Sequence, residues 1–237
     1  MKKGLLLVLF CFTGFLMKAQ VNFNYQKDYE LIAARTSDFR DVLYYDKLRE
    51  RFTRNDTSLS NFEVLSLLIG FSKQSNFKPK EDYQKEQRIY DLNSEGKYQD
   101  AITEAGHYLR THPVSEAAII EKSYAFMQLG KKDSADYYLR QFSLIMSAMT
   151  YSGSGTSVED PIFALAPGDA QNYIIKYLVA DVGTMTSTTD KAGNYVDVMD
   201  VKFADGHVTP YYFITQHAAS KVFNGEPKDD GASSKPK

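Results

Sequence analysis

The stretch Tyr90-Asp91-Leu92-Asn93-Ser94-Glu95-Gly96-Lys97-Tyr98-Gln99-Asp100-Ala101 is answered within Tyr83–Met149 by Tyr124-Ala125-Phe126-Met127-Gln128-Leu129-Gly130-Lys131-Lys132-Asp133-Ser134-Ala135. Tyr90 returns as Tyr124, Gly96-Lys97 as Gly130-Lys131, Asp100 as Ser134 and Ala101 as Ala135, each 34 residues on. Gly96 and Gly130 fall between two helical patterns, where a residue able to take positive φ ends the first helix. Ala101 and Ala135 are small where a second helix presses on the first, and Tyr108 and Phe142 follow two turns later on the same face. His112-Pro113 stops the first unit, because proline disfavours helix in the residue before it. The spacing predicts two helix–turn–helix units.

A period of 34 is the tetratricopeptide spacing, and the pattern resembles that consensus with Gly96, Tyr98, Ala101 and Pro113 in register. It departs where Lys85 replaces an opening aromatic and Ala148 a closing proline, so the resemblance implies a divergent pair; two ordinary helical hairpins are the alternative. Two units do not bury a continuous core alone, so the rest of the chain is expected to cap them. In tetratricopeptide folds the first helix of each unit lines a concave groove. That register places Tyr90, Asn93 and Ser94, then Tyr124, Met127 and Gln128, on a surface suited to an extended peptide. The alternative is a short, capped pair without an open groove.

Met1–Lys3 supplies a positive start and Gly4–Leu16 an apolar run too short to span a bilayer, which predicts a signal peptide over 1–19 cut at Ala19-Gln20. A buried N-terminal helix is the competing reading. Cys11 is the single cysteine, and Phe10 before it is too large for a lipoprotein signal. The mature chain would then lack disulfides, thiol catalysis and cysteine zinc sites, as expected of an exported bacterial protein, periplasmic or secreted. Removing Lys2, Lys3 and Lys18 leaves 25 basic against 30 acidic residues. This mildly acidic balance, without a basic stripe, argues against nucleic acid and anionic lipid as partners.

From Gln20 to about Thr36 the pattern predicts a partly ordered lead-in. Ser37 then caps a helix to Phe52 carrying Phe39, Val42, Leu43, Tyr45 and Leu48 on one face. After a turn at Arg54–Thr57, Ser60 and Glu63 form a capping box for a helix from Phe62 to about Phe71, apolar nearly all round and so the most buried. Gly70 reads as a close-packing or terminating glycine. Tyr151–Ser157 reads as a flexible link between a helical domain, 20–150, and a β-rich domain, 158–223. The latter is expected to hold a small antiparallel sheet of three or four strands, one helix near Asp169–Val179, and a hairpin at Asp205-Gly206. Pro210 suits an edge strand, and residues 224–237 a disordered tail. The fold class is α+β.

No strong catalytic motif is present. The Ser152–Thr156 loop lacks the Lys-Ser/Thr of a phosphate cradle and the G-x-S-x-G of a nucleophile elbow. His107 and His112 are five apart and straddle a helix end, and His207 follows a turn, so no metal site is expected from them. Asp197 and Asp200 fall on opposite faces of one strand. Neither a cofactor nor a catalytic residue is assigned.

Ordered blocks carry a wider resemblance: Tyr44–Phe52, Asn55-Asp56-Thr57, Leu67–Phe71, Ile89–Asn93 leading to Glu95–Tyr98, Tyr151–Gly155, Glu159-Asp160-Pro161, and Asp197–Asp200 with Tyr212-Phe213. The chain is similar to exported Gram-negative bacterial proteins grouped as domain of unknown function four-nine-one-nine. The resemblance implies a secretory signal, a helical tetratricopeptide-like half and a β-rich end, and transfers no catalytic residue. The expected role is a non-enzymatic, protein-binding or scaffolding component of the cell envelope. The rival is a hydrolase or carbohydrate binder with a site between the halves, drawing on Glu159, Asp160, His217 or Tyr211–Phe213.

Overall fold

The computed structural model describes residues 23–225, so the expected signal segment and the tail beyond 225 lie outside the described residues. Helix α3 (Asn61–Ser72) is the centre of the architecture, and every residue from Val64 to Ser72 is buried. Its start is the expected capping box: the Glu63 amide donates to Ser60 Oγ (3.3 Å) and the Ser60 amide to Glu63 Oε2 (2.9 Å). Gly70 is a packing glycine. A Cβ there would stand 3.1 Å from Thr36 and Tyr45 side chains, so its absence lets the two preceding helices close on α3.

The expected lead-in is helix α1 (Tyr25–Ser37), capped by Asn24 Oδ1 accepting from the Lys27 amide (3.1 Å), with Tyr29, Ile32, Ala33 and Thr36 buried at helical spacing. The helix expected from Ser37 begins only at α2 (Tyr45–Thr53), leaving Phe39 and Val42 exposed. Asp38 and Asp41 accept from the amides of Arg40 (3.0 Å) and Leu43 (2.8 Å), and such local bonds compete with helix.

The repeat forms two hairpins, α4 (Pro79–Ser94) with α5 (Tyr98–Tyr108) and α6 (Glu116–Gln128) with α7 (Lys132–Ser152). Gly96 and Gly130 adopt φ of 73° and 71°. Their helix ends match bond for bond: Lys97 N donates to Leu92 O (2.8 Å) as Lys131 N does to Phe126 O (2.9 Å). These bonds satisfy carbonyls a helix end otherwise leaves open. Ala101 and Ala135 are buried, α5 packs between α4 and α6, and α7 runs against α3, which caps the second hairpin. Helix α7 extends through the start of the expected link, and the remainder is held rather than loose. Gly155 N donates to Asp160 O (2.9 Å), and Gly155 O accepts from Tyr212 N (2.9 Å).

The sheet comprises β1 (Ile162–Phe163), β2 (Asp181–Thr189), β3 (Tyr195–Lys202) and β4 (Val208–Ile214) in the order β1-β4-β3-β2. It is mixed rather than antiparallel, because β1 pairs parallel with β4. Other elements lie between β1 and β4 in the chain, as a parallel pair requires. The hairpin at Asp205-Gly206 is present, with Gly206 N donating to Phe203 O (2.9 Å). Pro210 pairs with Asp200 alone, since β1 reaches only Phe213 and Ile214. Helix α8 (Pro167–Asn172), continued by a π-helical turn over Tyr173–Tyr177, occupies the position of the expected helix. Helix α9 (Gln216–Gly225) was not expected; it starts where Thr215 O accepts from the amides of Ala218 and Ala219. One hydrophobic core runs from Phe23 to Ala218, so the helical and β-rich halves share their interior. The chain is α+β.

Candidate functional site

At the junction of the halves, α4 and the end of α5 face residues 165–171 across a cavity of about 470 Å³. Phe71, Phe77, Tyr83 and Tyr108 give it aromatic walls, and Asp82, Glu86 and Asp169 place carboxylates on them. A second cavity of about 270 Å³ shares Tyr83, Glu86, Gly168 and Gln171 with the first, and is completed by Tyr90, Glu121 and Lys176.

Each acid is placed by a local helical rule. Pro79 at the first turn of α4 puts Asp82 and Glu86 one turn apart on the same face. Asp169 is three residues past the N-cap of α8, where its Oδ2 accepts from the Ala166 amide (2.8 Å). Glu116 opens α6 beside the N-cap Ser115. Ser115 Oγ in turn donates to Glu86 Oε1 (2.6 Å), and Asn172 Nδ2 donates to Glu116 Oε1 (2.8 Å). Asp82 faces His112 Nε2 at 3.2 Å.

Burial without an ion-paired Lys or Arg shapes the electrostatics of Glu86, Glu116 and Asp169. Desolvation, then the charge of Asp169, pushes the Glu86 carboxyl up to about 8 against the pull of the Ser115 hydroxyl. Desolvation raises Asp169 to about 7, although the Ala166 amide favours its ionised form. Glu116 is also raised well above the carboxylate range, first by burial and then by Asp169. Tyr108 is raised by burial and by Glu86. Burial alone would lower His112, but the bond and charge of Asp82, together with the Asn76 and Tyr108 backbone, outweigh that and raise it.

The six residues expected along a groove are not brought together. Tyr90 lines the second cavity, where the Lys176 ammonium stands 6.0 Å from its ring centroid. Asn93, expected at the surface, is buried, and its amide donates to Glu121 O (2.9 Å) and Glu121 Oε2 (2.8 Å). Ser94 is exposed and bonds back to Tyr90 O (3.1 Å) within its own helix. Tyr124 and Met127 are exposed, as is Gln128, and Tyr124 packs edge-on against Tyr98. The inner face of α4 and α6 is covered by the chain itself: Asn172 reaches Glu116, and Lys176 reaches Glu121 at 3.4 Å.

The rival's residues are scattered. Glu159 is exposed and pairs with Lys191 (3.2 Å), and Asp160 Oδ2 accepts from the Ser154 amide (3.1 Å). His217 is buried in an aromatic stack with Phe163 (4.6 Å) and Tyr29 (5.6 Å), where desolvation lowers it to about 3 and keeps it neutral. Phe213 is buried in β4.

The sequence pattern of a family described as a domain of unknown function, DUF4919, matches residues 30–222. The chain belongs to this family. No curated protein and no solved structure matches it. The family match spans every acid of the junction cavity. Sequence reasoning missed Asp82, Glu86, Glu116 and Asp169; all but Glu86 stand in a helix first turn, where the helix dipole alone favours an acid. The available signal was Glu86, seven residues into α4, beyond the reach of that dipole.

Among the described residues, no helix is long and apolar enough to cross a membrane, and no group of three or more His, Cys, Asp and Glu could hold a metal ion.

Proposed function

We propose that the chain is an exported, non-enzymatic binding protein of the cell envelope whose ligand or partner seats in the junction cavity. The observation that carries this reading is a solvent-open, aromatic-walled cavity in which Glu86 and Asp169 stand without a basic partner. Export is inferred from Met1–Gln20, and a tetratricopeptide-like ancestry from the 34-residue spacing of the Gly96 and Gly130 helix ends. A binding role is favoured over hydrolysis because the acids already hold local bonds: Asp169 caps α8 and Glu86 is tied to Ser115. A groove across Tyr90, Tyr124 and Met127 is the less favoured surface, since residues 168–176 lie over the inner face of α4 and α6.

The test is affinity capture from the envelope fraction of the native cells. The full chain is run beside a cavity variant, Tyr83→Ala, and a ridge variant, Tyr124→Ala with Met127→Ala. A partner kept by the ridge variant and lost by the cavity variant supports the proposal. Loss with the ridge variant alone moves the site to the outer face of α6.

A further inference from the structure

Resting on the reading of the junction cavity as a binding site, its chemistry narrows the occupant. Asp82 has His112 beside it, but among the described residues no Lys or Arg lies within ion-pair distance of Glu86, Glu116 or Asp169. Lys80 is exposed on the wall and pairs with none of them. Glu116 is 1 % exposed, and its Oε2 has no hydrogen-bond partner among the described residues. Its chain neighbours Ser115 and Ala117 line the larger and the smaller cavity while Glu116 itself lines neither, and burial, then Asp169 and Glu86, raise its carboxyl against the opposing charge of Lys176. Burial and mutual repulsion favour the protonated form of these carboxyls, and a cation seated among them favours the ionised form instead.

The adjoining cavity shows what satisfies such a wall. There Lys176 Nζ stands 3.4 Å from Glu121 Oε1 and 6.0 Å from the Tyr90 ring centroid, an ammonium between a carboxylate and a tyrosine. Lys73 repeats the arrangement elsewhere, 2.9 Å from Glu30 and 4.6 Å from the Tyr29 centroid. The larger cavity has the carboxylates and the rings without the ammonium. Its acids are not grouped to ligate a metal ion, and its wall is more apolar than a metal site needs.

We infer that the occupant of the junction cavity is an alkylammonium group, carried on a free amine or on a lysine side chain, with its charge among Glu86, Asp169 and Asp82 and its carbon chain along Phe71, Phe77 and Tyr108. A cavity of about 470 Å³ fits a ligand of that size.

The experiment is calorimetric titration of the full chain with two matched pairs. Pentylamine is compared with pentanol, and Nα-acetyl-lysine methylamide with its norleucine counterpart; calcium chloride is titrated alone. Each amine is expected to bind at least tenfold more tightly than its neutral mate, and Glu86→Gln to weaken both amines by tenfold or more. The ratio of the two amines then tells a free ligand from a peptide-borne lysine. Equal binding of amine and neutral mate, tighter binding of calcium, or an unchanged affinity in Glu86→Gln overturns the inference. If no probe binds while Tyr83→Ala still abolishes partner capture, the ammonium fails and the binding site stands. If capture also survives Tyr83→Ala, both fail.

Discussion

Replacing Glu86 by glutamine should stabilise the protein, and by an amount that grows with pH. The folded state raises this carboxyl from 4.5 to about 8, so folded chains hold a proton that unfolded chains have lost. Such a group contributes stability that is complete below about 4.5 and is lost as pH rises through about 8. At about 1.4 kcal/mol per tenfold in proton affinity, that range corresponds to a ceiling near 5 kcal/mol. Water in the open cavity screens the charge, and about 1–3 kcal/mol is the expected effect. Glutamine keeps the acceptor for Ser115 Oγ, which now stands 2.6 Å from Glu86 Oε1, so packing is preserved. Urea unfolding of both proteins at about pH 4, 7 and 9 checks this. The two should match near pH 4, and the variant should be more stable by about 1–3 kcal/mol at pH 9. A difference that does not change with pH, or a variant weaker at pH 9, would refute the reasoning.

Other outcomes follow from the same structure. Gly96→Ala and Gly130→Ala should each cost roughly 1–2 kcal/mol, because both hold positive φ and an added Cβ would meet nothing within 4 Å; additive losses in urea melts check the purely conformational cause. Val179 is a β-branched residue at φ 55° and is 78 % exposed, so Val179→Gly should raise stability by about 1 kcal/mol in the same assay. Asn93→Arg should cost about 3 kcal/mol or more by breaking the buried bonds to Glu121, which a lowered melting temperature without any ligand would register. His217 should stay neutral by NMR titration down to about pH 4; its lowered value means stability present above 6.5 and lost as pH falls towards about 3.

The parts of the fold legible in the sequence are those set by local rules. Gly96 and Gly130 end helices at positive φ, Ser60 and Glu63 close a capping box, and α3 is buried on every side. Elements decided by competition were less legible. Asp38 and Asp41 turned a helical pattern into loops, and the polar run at Tyr25–Ser37 became a helix only because Tyr29, Ile32 and Ala33 found a surface to cover. The site was the least legible. Its acids come from α4, α6 and α8, and all but Glu86 have the ordinary reason of standing in a helix first turn. Only tertiary packing, which lays residues 168–176 over α4 and α6, makes their charges meet and covers the groove that the repeat suggests.

The most direct test of the binding-site assignment is backbone NMR of the full chain during titration with Nα-acetyl-lysine methylamide. Shifts concentrated at Tyr83, Glu86, Gly168 and Gln171, the residues shared by both cavities, are the predicted result. Shifts confined to Tyr124, Met127 and Gln128 on the exposed side of α6, with the junction residues unmoved, would contradict it.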